Sequence, residues 1–170
     1  MNRKRAAILA AALLIAAAAF LSHRHAATVL RIWDYETGEI YVEVPARAGD
    51  RLFFGWMHSW EKIPWHEHYH IAENGDLILD EIAFPAFGAG IPENKGTSVR
   101  IENGMIVMSG IGQVFHEFTW LNSHYATRDI RLNGALVAKG ETLPEHTRIN
   151  LSITKKGLFH GARHHRPSRP

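Results

Sequence analysis

The chain has 170 residues, of which 46% are hydrophobic and 21% charged, a composition that is ordinary for one globular domain and argues against global disorder. It has no cysteine, so disulfides, cysteine nucleophiles and iron–sulfur clusters are excluded. Seven of the 19 Lys and Arg residues lie before residue 25 or after residue 160, and the stretch between holds twelve basic and 17 acidic side chains. Because this negative body repels phosphate, nucleic acid is excluded as a partner.

The first segment of the chain predicts export. Arg3, Lys4 and Arg5 precede the uncharged run Ala6–Leu21, and a positive end before an apolar run is typical of a secretory signal peptide or an uncleaved membrane anchor. The run is shorter than the roughly 20 residues that span a bilayer, so both alternatives stay open. Both place the rest of the chain outside the cytoplasm. We therefore expect residues 1–26 to be a signal peptide or N-terminal membrane anchor of an extracytoplasmic protein, secreted or membrane-anchored.

The body of the chain, residues 27–157, predicts a single all-β domain. Apolar residues alternate with polar ones in several stretches, and one strand is predicted over residues 114–121. Turn signals recur every eight to twelve residues, with Asn-Gly pairs at 74–75, 103–104 and 133–134. About ten short strands indicate an antiparallel sandwich or small barrel, preceded by the N-terminal apolar helix. Residues 158–170 lose this periodicity and predict a flexible basic tail.

A hairpin is predicted between residues 52–60 and 65–72, with its turn at Glu61–Pro64. If the loop is centred on Lys62 and Ile63, His58 lies opposite Glu67 on an aromatic and aliphatic face. Because a carboxylate on such a face needs a cation or hydrogen-bond donors, we expect His58 and Glu67 to pair. An odd-length loop would instead bring His58 to the face of the following histidines.

Three histidines alternate in the second strand of this hairpin. His66, His68 and His70 stand at i, i+2 and i+4, so a strand points all three to one face. Imidazoles at this spacing can bind zinc or copper. The alternative is a polar, solvent-facing strand without any cofactor.

A glycine-rich stretch follows at Phe87–Pro92. Gly88, Ala89 and Gly90 are too small, and too close to Pro92, to continue a helix, which predicts a tight corner between strands. The functional alternative is a set of backbone amides presented to an anion. No nucleophile-elbow context surrounds Ser59, so a hydrolase stays the third choice of function.

The two stretches together carry a family resemblance. His58-Ser59-Trp60-Glu61-Lys62-Ile63-Pro64-Trp65-His66-Glu67 resembles the His-Ser-Val-Glu-Lys-Thr-Pro-Val-x-Glu motif of the domain of unknown function 1850 family, and Phe87-Gly88-Ala89-Gly90-Ile91-Pro92 resembles its Phe-Gly-Ala-Gly-Leu-Pro motif. The resemblance covers about residues 28–155. It implies that the motif surface consists of His58, Ser59, Glu61, Lys62, Pro64, Glu67, Gly88, Ala89, Gly90 and Pro92. The three alternating histidines fall on positions that the motif does not specify.

The resemblance also implies a cellular setting. Family members are small exported or membrane-anchored bacterial proteins of uncharacterised activity, and their genes often lie beside those of TAXI-type TRAP solute transporters. We therefore expect a non-enzymatic accessory domain that binds the transporter's permease, its solute-binding protein or a small anionic solute. An anion would be met by His58, Lys62 and the Gly88–Gly90 amides. A histidine-rich metal-binding module is the alternative, and a hydrolase using Glu67 and His58 is the third possibility.

Overall fold

The computed structural model describes residues 28–88 and 95–155. Their regular structure is a 3₁₀ turn at Gly140–Thr142 and eleven strands: β1 (Thr28–Asp34), β2 (Ile40–Pro45), β3 (Arg51–Met57), β4 (Pro64–Ile71), β5 (Leu77–Phe84), β6 (Ser98–Glu102), β7 (Met105–Phe115), β8 (Glu117–Leu121), β9 (Thr127–Leu132), β10 (Ala135–Lys139) and β11 (Arg148–Lys155). Within these two ranges no helix is long and apolar enough to cross a membrane. The predicted N-terminal helix and basic tail lie outside the described residues.

The strands form two antiparallel sheets, which confirms the predicted all-β class. The smaller sheet has the order β2-β1-β11-β8, and the larger has the order β10-β9-β3-β4-β5-β7-β6. The arrangement is a sandwich of two separate sheets, and the small-barrel alternative is wrong.

Two of the three Asn-Gly pairs make the predicted hairpin turn. Asn103 and Gly104 have φ values of 50° and 76°, and Asn133 and Gly134 have values of 50° and 81°. Positive φ at both central residues defines the turn that joins β6 to β7 and β9 to β10. At the third pair only Gly75 has a positive φ, so that turn has a different type.

The prediction of one continuous strand over residues 114–121 is wrong. It is divided at His116, where the chain leaves β7 of the larger sheet and enters β8 of the smaller one. Phe115 and Phe118, on either side of this crossing, both contact the ring of Tyr69. The side chains of both segments reach the same interior, so apolar alternation alone could not reveal the change of sheet.

The core lies between the two sheets. Its fully buried side chains come from both layers and include Leu30, Ile32, Leu52, Ile71, Leu77, Ile82, Phe84, Met108, Ile130, Ile149 and Leu151. Seven strands face four, and β8 is an edge strand of the smaller sheet. The inner face of the larger sheet is therefore incompletely covered beside β8.

Candidate binding site

The β3–β4 hairpin differs in register from the prediction. Glu67 lies opposite Phe54, and Trp65 lies opposite Trp56, so the predicted pairing of His58 with Glu67 is wrong. The true loop, like the predicted one, contains an even number of residues, so the side chains keep their predicted faces. Glu67 still projects from the apolar face of the hairpin.

The turn of this hairpin is formed by residues 59–62, not by Glu61–Pro64. His58 donates its backbone N–H to the carbonyl oxygen of Ile63 at 2.8 Å, and Lys62 adopts a φ of 56°. A turn at Glu61–Pro64 would have placed proline at its fourth position, where an N–H closes the turn and proline has none. Pro64 instead begins β4, a position that proline tolerates.

Four of the ten predicted motif residues, His58, Ser59, Glu61 and Lys62, lie in or beside this turn. The Nδ1 atom of His58 accepts a hydrogen bond from the backbone N–H of Glu61 at 3.3 Å, and the His58 ring lies 5.9 Å from the ring of Trp65. The Lys62 ammonium lies 5.6 Å from the centre of the Tyr125 ring. Ser59 is exposed. These contacts hold the turn against its neighbours and leave Glu67 as the motif side chain that projects inward.

The two motifs meet at Glu61 and Gly88. A Cβ atom placed on Gly88 would lie 2.5 Å from Cδ and 2.6 Å from Oε1 of Glu61, so the lack of a side chain permits this approach. The sequence left backbone amides presented to an anion as the functional alternative here, and the group that lies against Gly88 is the chain's own carboxylate. Ala89, Gly90 and Pro92 lie outside the described residues.

A pocket of about 380 Å³ opens beside β8, between the two sheets. This is the size of a small-molecule site. Nine of its thirteen lining residues are aromatic or aliphatic, six of them aromatic, and the other four carry a carboxylate, an amide, an ammonium and a hydroxyl group. The lining residues are Phe54, Trp56, Glu67, Tyr69, Leu79, Lys95, Gln113, Phe115, Phe118, Trp120, Leu121, Ala126 and Thr127.

The carboxylate of this pocket belongs to Glu67. It accepts hydrogen bonds from the Tyr69 hydroxyl at 2.6 Å and the Trp65 indole N–H at 3.2 Å. Burial, and secondarily the neighbouring Glu67 carboxylate, raise the pKa of Tyr69, so its hydroxyl stays protonated and can donate. Both partners are neutral, and no Lys, Arg or His in the described ranges forms an ion pair with Glu67.

The three alternating histidines lie on the opposite face of the hairpin. The Phe53 ring contacts the rings of both His66 and His68 edge-on, with centroids 5.2 Å apart in each case. Burial is the main cause that lowers the pKa of both imidazoles. His70 lies with Nδ1 2.9 Å from the carboxylate of Asp80. Among the described residues, no three His, Asp or Glu side chains are arranged to hold a metal ion.

Sequence reasoning placed Glu67 on an aromatic and aliphatic face of the hairpin but did not predict the pocket in front of it. Trp65, Glu67 and Tyr69 alternate on one face, and this spacing was a usable signal for a carboxylate between two aromatic donors. Nothing comparable marked Phe118 and Trp120, because they reach the pocket only through the crossing from β7 to β8.

The fold and the pocket together define a two-sheet antiparallel β-sandwich with an interior aromatic cavity. The model of a family described as a domain of unknown function (DUF1850) matches residues 53–138, about half of the chain. The chain therefore belongs to this family, and the resemblance seen in the two motifs is confirmed. The matched stretch includes all but the first two residues of the β3–β4 hairpin, and the whole of β8. Neither a curated protein nor a solved structure matches the chain.

Proposed function

We propose that the protein is a non-enzymatic, extracytoplasmic domain that binds a small organic solute in its aromatic pocket and assists a TAXI-type TRAP transporter. The pocket between the sheets is the observation that carries solute binding. It combines about 380 Å³ of space with predominantly apolar walls and a few polar groups, the pattern of small-molecule sites.

The surroundings of Glu67 support a binding role over catalysis. A hydrolase would need the carboxylate to cooperate with His58 as base and acid. In the hairpin, His58 accepts the N–H of Glu61 within the turn, while Glu67 is held by Trp65 and Tyr69. The two side chains are thus engaged in separate contacts, with the Trp65 ring beside each of them.

The part of the proposal that concerns the transporter rests on the family resemblance and on the predicted export segment. Exposed apolar side chains at the turn end of the sandwich, which we name the aromatic end, support this part of the proposal: Trp60, Phe87, Leu121 and Tyr125. Thr28 and Lys155 pair with each other at the opposite end. A tether before Thr28 would therefore leave the aromatic end directed away from the membrane. We assign the transporter's solute-binding protein as its partner, because that partner is soluble and carries the solute.

A pull-down of the tagged full-length protein from its own membranes, followed by mass spectrometry, tests this partnership. We expect recovery of a TRAP solute-binding protein, and loss of that recovery in a Trp60→Ser, Tyr125→Ser double variant. Leu136→Ser is the matched control, because Leu136 is also exposed but lies at the other end of the sandwich. Recovery of no transporter component would contradict the partnership. Equal recovery of the solute-binding protein with the double variant and with Leu136→Ser would contradict the location of the contact at the aromatic end.

A further inference from the structure

We propose that the ligand of the aromatic pocket is a small organic cation, an ammonium compound with an apolar or aromatic body. This inference rests on the proposed solute-binding function and names the class of solute. It departs from the anionic solute that the motif positions suggested, because the Glu67 carboxylate and aromatic rings line the pocket together and no cation pairs with Glu67 among the described residues.

The charge of Glu67 provides the first part of the reasoning. Its side chain is half-buried, its two hydrogen-bond donors are the neutral Trp65 and Tyr69, and it forms no ion pair among the described residues. A carboxylate in apolar surroundings is tolerated best when a cation joins its donors. A ligand ammonium group in the pocket would be that cation.

The aromatic walls provide the second part. The Phe54 ring contacts the rings of Phe118 and Trp120, each with a centroid separation of 5.2 Å, and Tyr69 stacks on Phe118 at 5.7 Å. Rings that pack against one another in this way form a wall before any ligand arrives. Aromatic faces carry negative potential and attract cations, most strongly when water is excluded. An anion would meet these faces and the Glu67 carboxylate unfavourably, with Lys95 as its single favourable charge among the lining residues.

Lys95 is the protein's own ammonium group on the pocket wall. It does not form an ion pair with Glu67 in the structure, but it would repel a bound organic cation across the pocket. Replacing it with the similarly long, uncharged methionine should therefore strengthen cation binding. This provides a variant whose predicted effect is a gain and which cannot be mimicked by partial unfolding.

The test uses three ligands that share a benzene ring and differ in charge: 2-phenylethylammonium, 2-phenylethanol and phenylacetate. Their affinities for the full-length protein in mild detergent are measured by calorimetry and by quenching of tryptophan fluorescence. We expect the ammonium ligand to bind at least tenfold more tightly than the alcohol, and phenylacetate to bind most weakly. In Glu67→Gln the preference of cation over alcohol should disappear while alcohol binding remains, and in Lys95→Met the cation should bind several-fold more tightly.

The outcomes separate the ligand class from the pocket itself. Equal affinity for the three ligands, or a preference for phenylacetate, would overturn the cationic class and leave the solute-binding function intact. A cation preference that persists in a folded Glu67→Gln variant would also overturn it. Failure of all three ligands to bind the folded wild-type protein at millimolar concentration would contradict the binding pocket as well. The wild-type comparison alone decides the class if a variant does not fold.

Discussion

The two faces of β4 show how one strand can carry two environments. On its inner face, Trp65, Glu67 and Tyr69 lie between the sheets and are linked by two hydrogen bonds to one carboxylate. On its outer face, the side chains of His66 and His68 pack on the ring of Phe53, and neither imidazole forms a hydrogen bond or ion pair within residues 28–88 and 95–155. The difference arises because alternate residues of a strand point to opposite sides of the sheet.

Of the two patterns on β4, the alternating histidines and the carboxylate between two aromatic residues, only the carboxylate lies in a cavity. Three histidines in alternation form the more conspicuous pattern in the sequence, yet their face is shared with an aromatic side chain that lies between two of them. The single carboxylate of the inner face drew attention only through a supposed histidine partner. Its importance comes from the cavity that other strands build in front of it.

The largest expected difference between the faces concerns stability. Trp65 is 7% exposed and its ring stacks on Phe84 at a centroid distance of 4.9 Å. Trp65→Ala should lower the free energy of unfolding by about 3–5 kcal/mol, since it removes a buried aromatic side chain. His66→Ala, its neighbour on the other face, should cost about 1 kcal/mol or less. Urea unfolding followed by circular dichroism measures both, and equal losses would contradict the assignment of inner and outer faces.

A smaller difference is expected for the hydrogen bonds of the two faces. Tyr69→Phe removes a donor to Glu67 and should cost about 1–2 kcal/mol, because bonds to charged groups are the stronger ones. His70→Ala removes the contact with Asp80, a partly exposed pair that should contribute about 0.5 kcal/mol or less. The double variant Glu67→Gln, Tyr69→Phe should lose less than the sum of its two single variants. Full additivity would show that the Tyr69–Glu67 bond contributes nothing.

The stability that the outer face contributes should depend on pH. Because the pKa values of His66 and His68 are lowered in the folded protein, the unfolded chain takes up protons first as the pH falls below its ordinary histidine pKa near 6.5. The stability from these two histidines is therefore present at pH 7.5 and decreases towards pH 5.5. The urea midpoint should fall over this range, and fall less in a His66→Asn, His68→Asn double variant.

His116 serves as the internal control for this titration. Its hydrogen bond to Asp76 raises the pKa of His116, so its contribution has the opposite sign and is lost as the pH rises through that pKa. In NMR titrations, the midpoints of His66 and His68 should lie below the unperturbed value of about 6.5 and that of His116 above it. A reversed order would contradict the environments described for the two groups.

The smallest expected effect concerns metal binding at the outer face. Because Phe53 packs against both His66 and His68, and His70 faces Asp80, we expect zinc or copper to bind weakly and His68→Ala to change that binding little. Calorimetry of the wild type and of His68→Ala with each metal measures this. Tight, stoichiometric binding that is abolished in His68→Ala would instead favour the metal-binding module.

Local patterns predicted the strands well because alternation and Asn-Gly turns are properties of neighbouring residues. The all-β class and the turns at Asn103-Gly104 and Asn133-Gly134 follow from them. The predicted hairpin register fails at one residue, because Pro64 lacks the N–H needed to close the predicted turn. This constraint moves the turn towards the amino terminus and removes the His58–Glu67 pair.

The pocket could not be predicted in this way because it depends on contacts between distant strands. Phe54, Glu67 and Phe118 come from three strands in two different sheets. Their meeting requires the chain to cross between sheets at His116, and apolar residues stand on both sides of that crossing without marking the change of sheet. The sequence therefore contains the pocket's residues, but no local pattern indicates that residues of the smaller sheet meet those of the larger sheet.

The most direct test of the central claim uses the indole N–H signals of the five tryptophans. In a ¹⁵N-labelled full-length protein titrated with 2-phenylethylammonium, the signals of Trp56 and Trp120 should shift, because both residues line the pocket. Trp33, on the outer side of the smaller sheet, and Trp60, in the exposed hairpin turn, should stay in place. Shifts confined to Trp33 and Trp60, or no shift at any tryptophan, would contradict the binding of an organic cation in the pocket between the sheets.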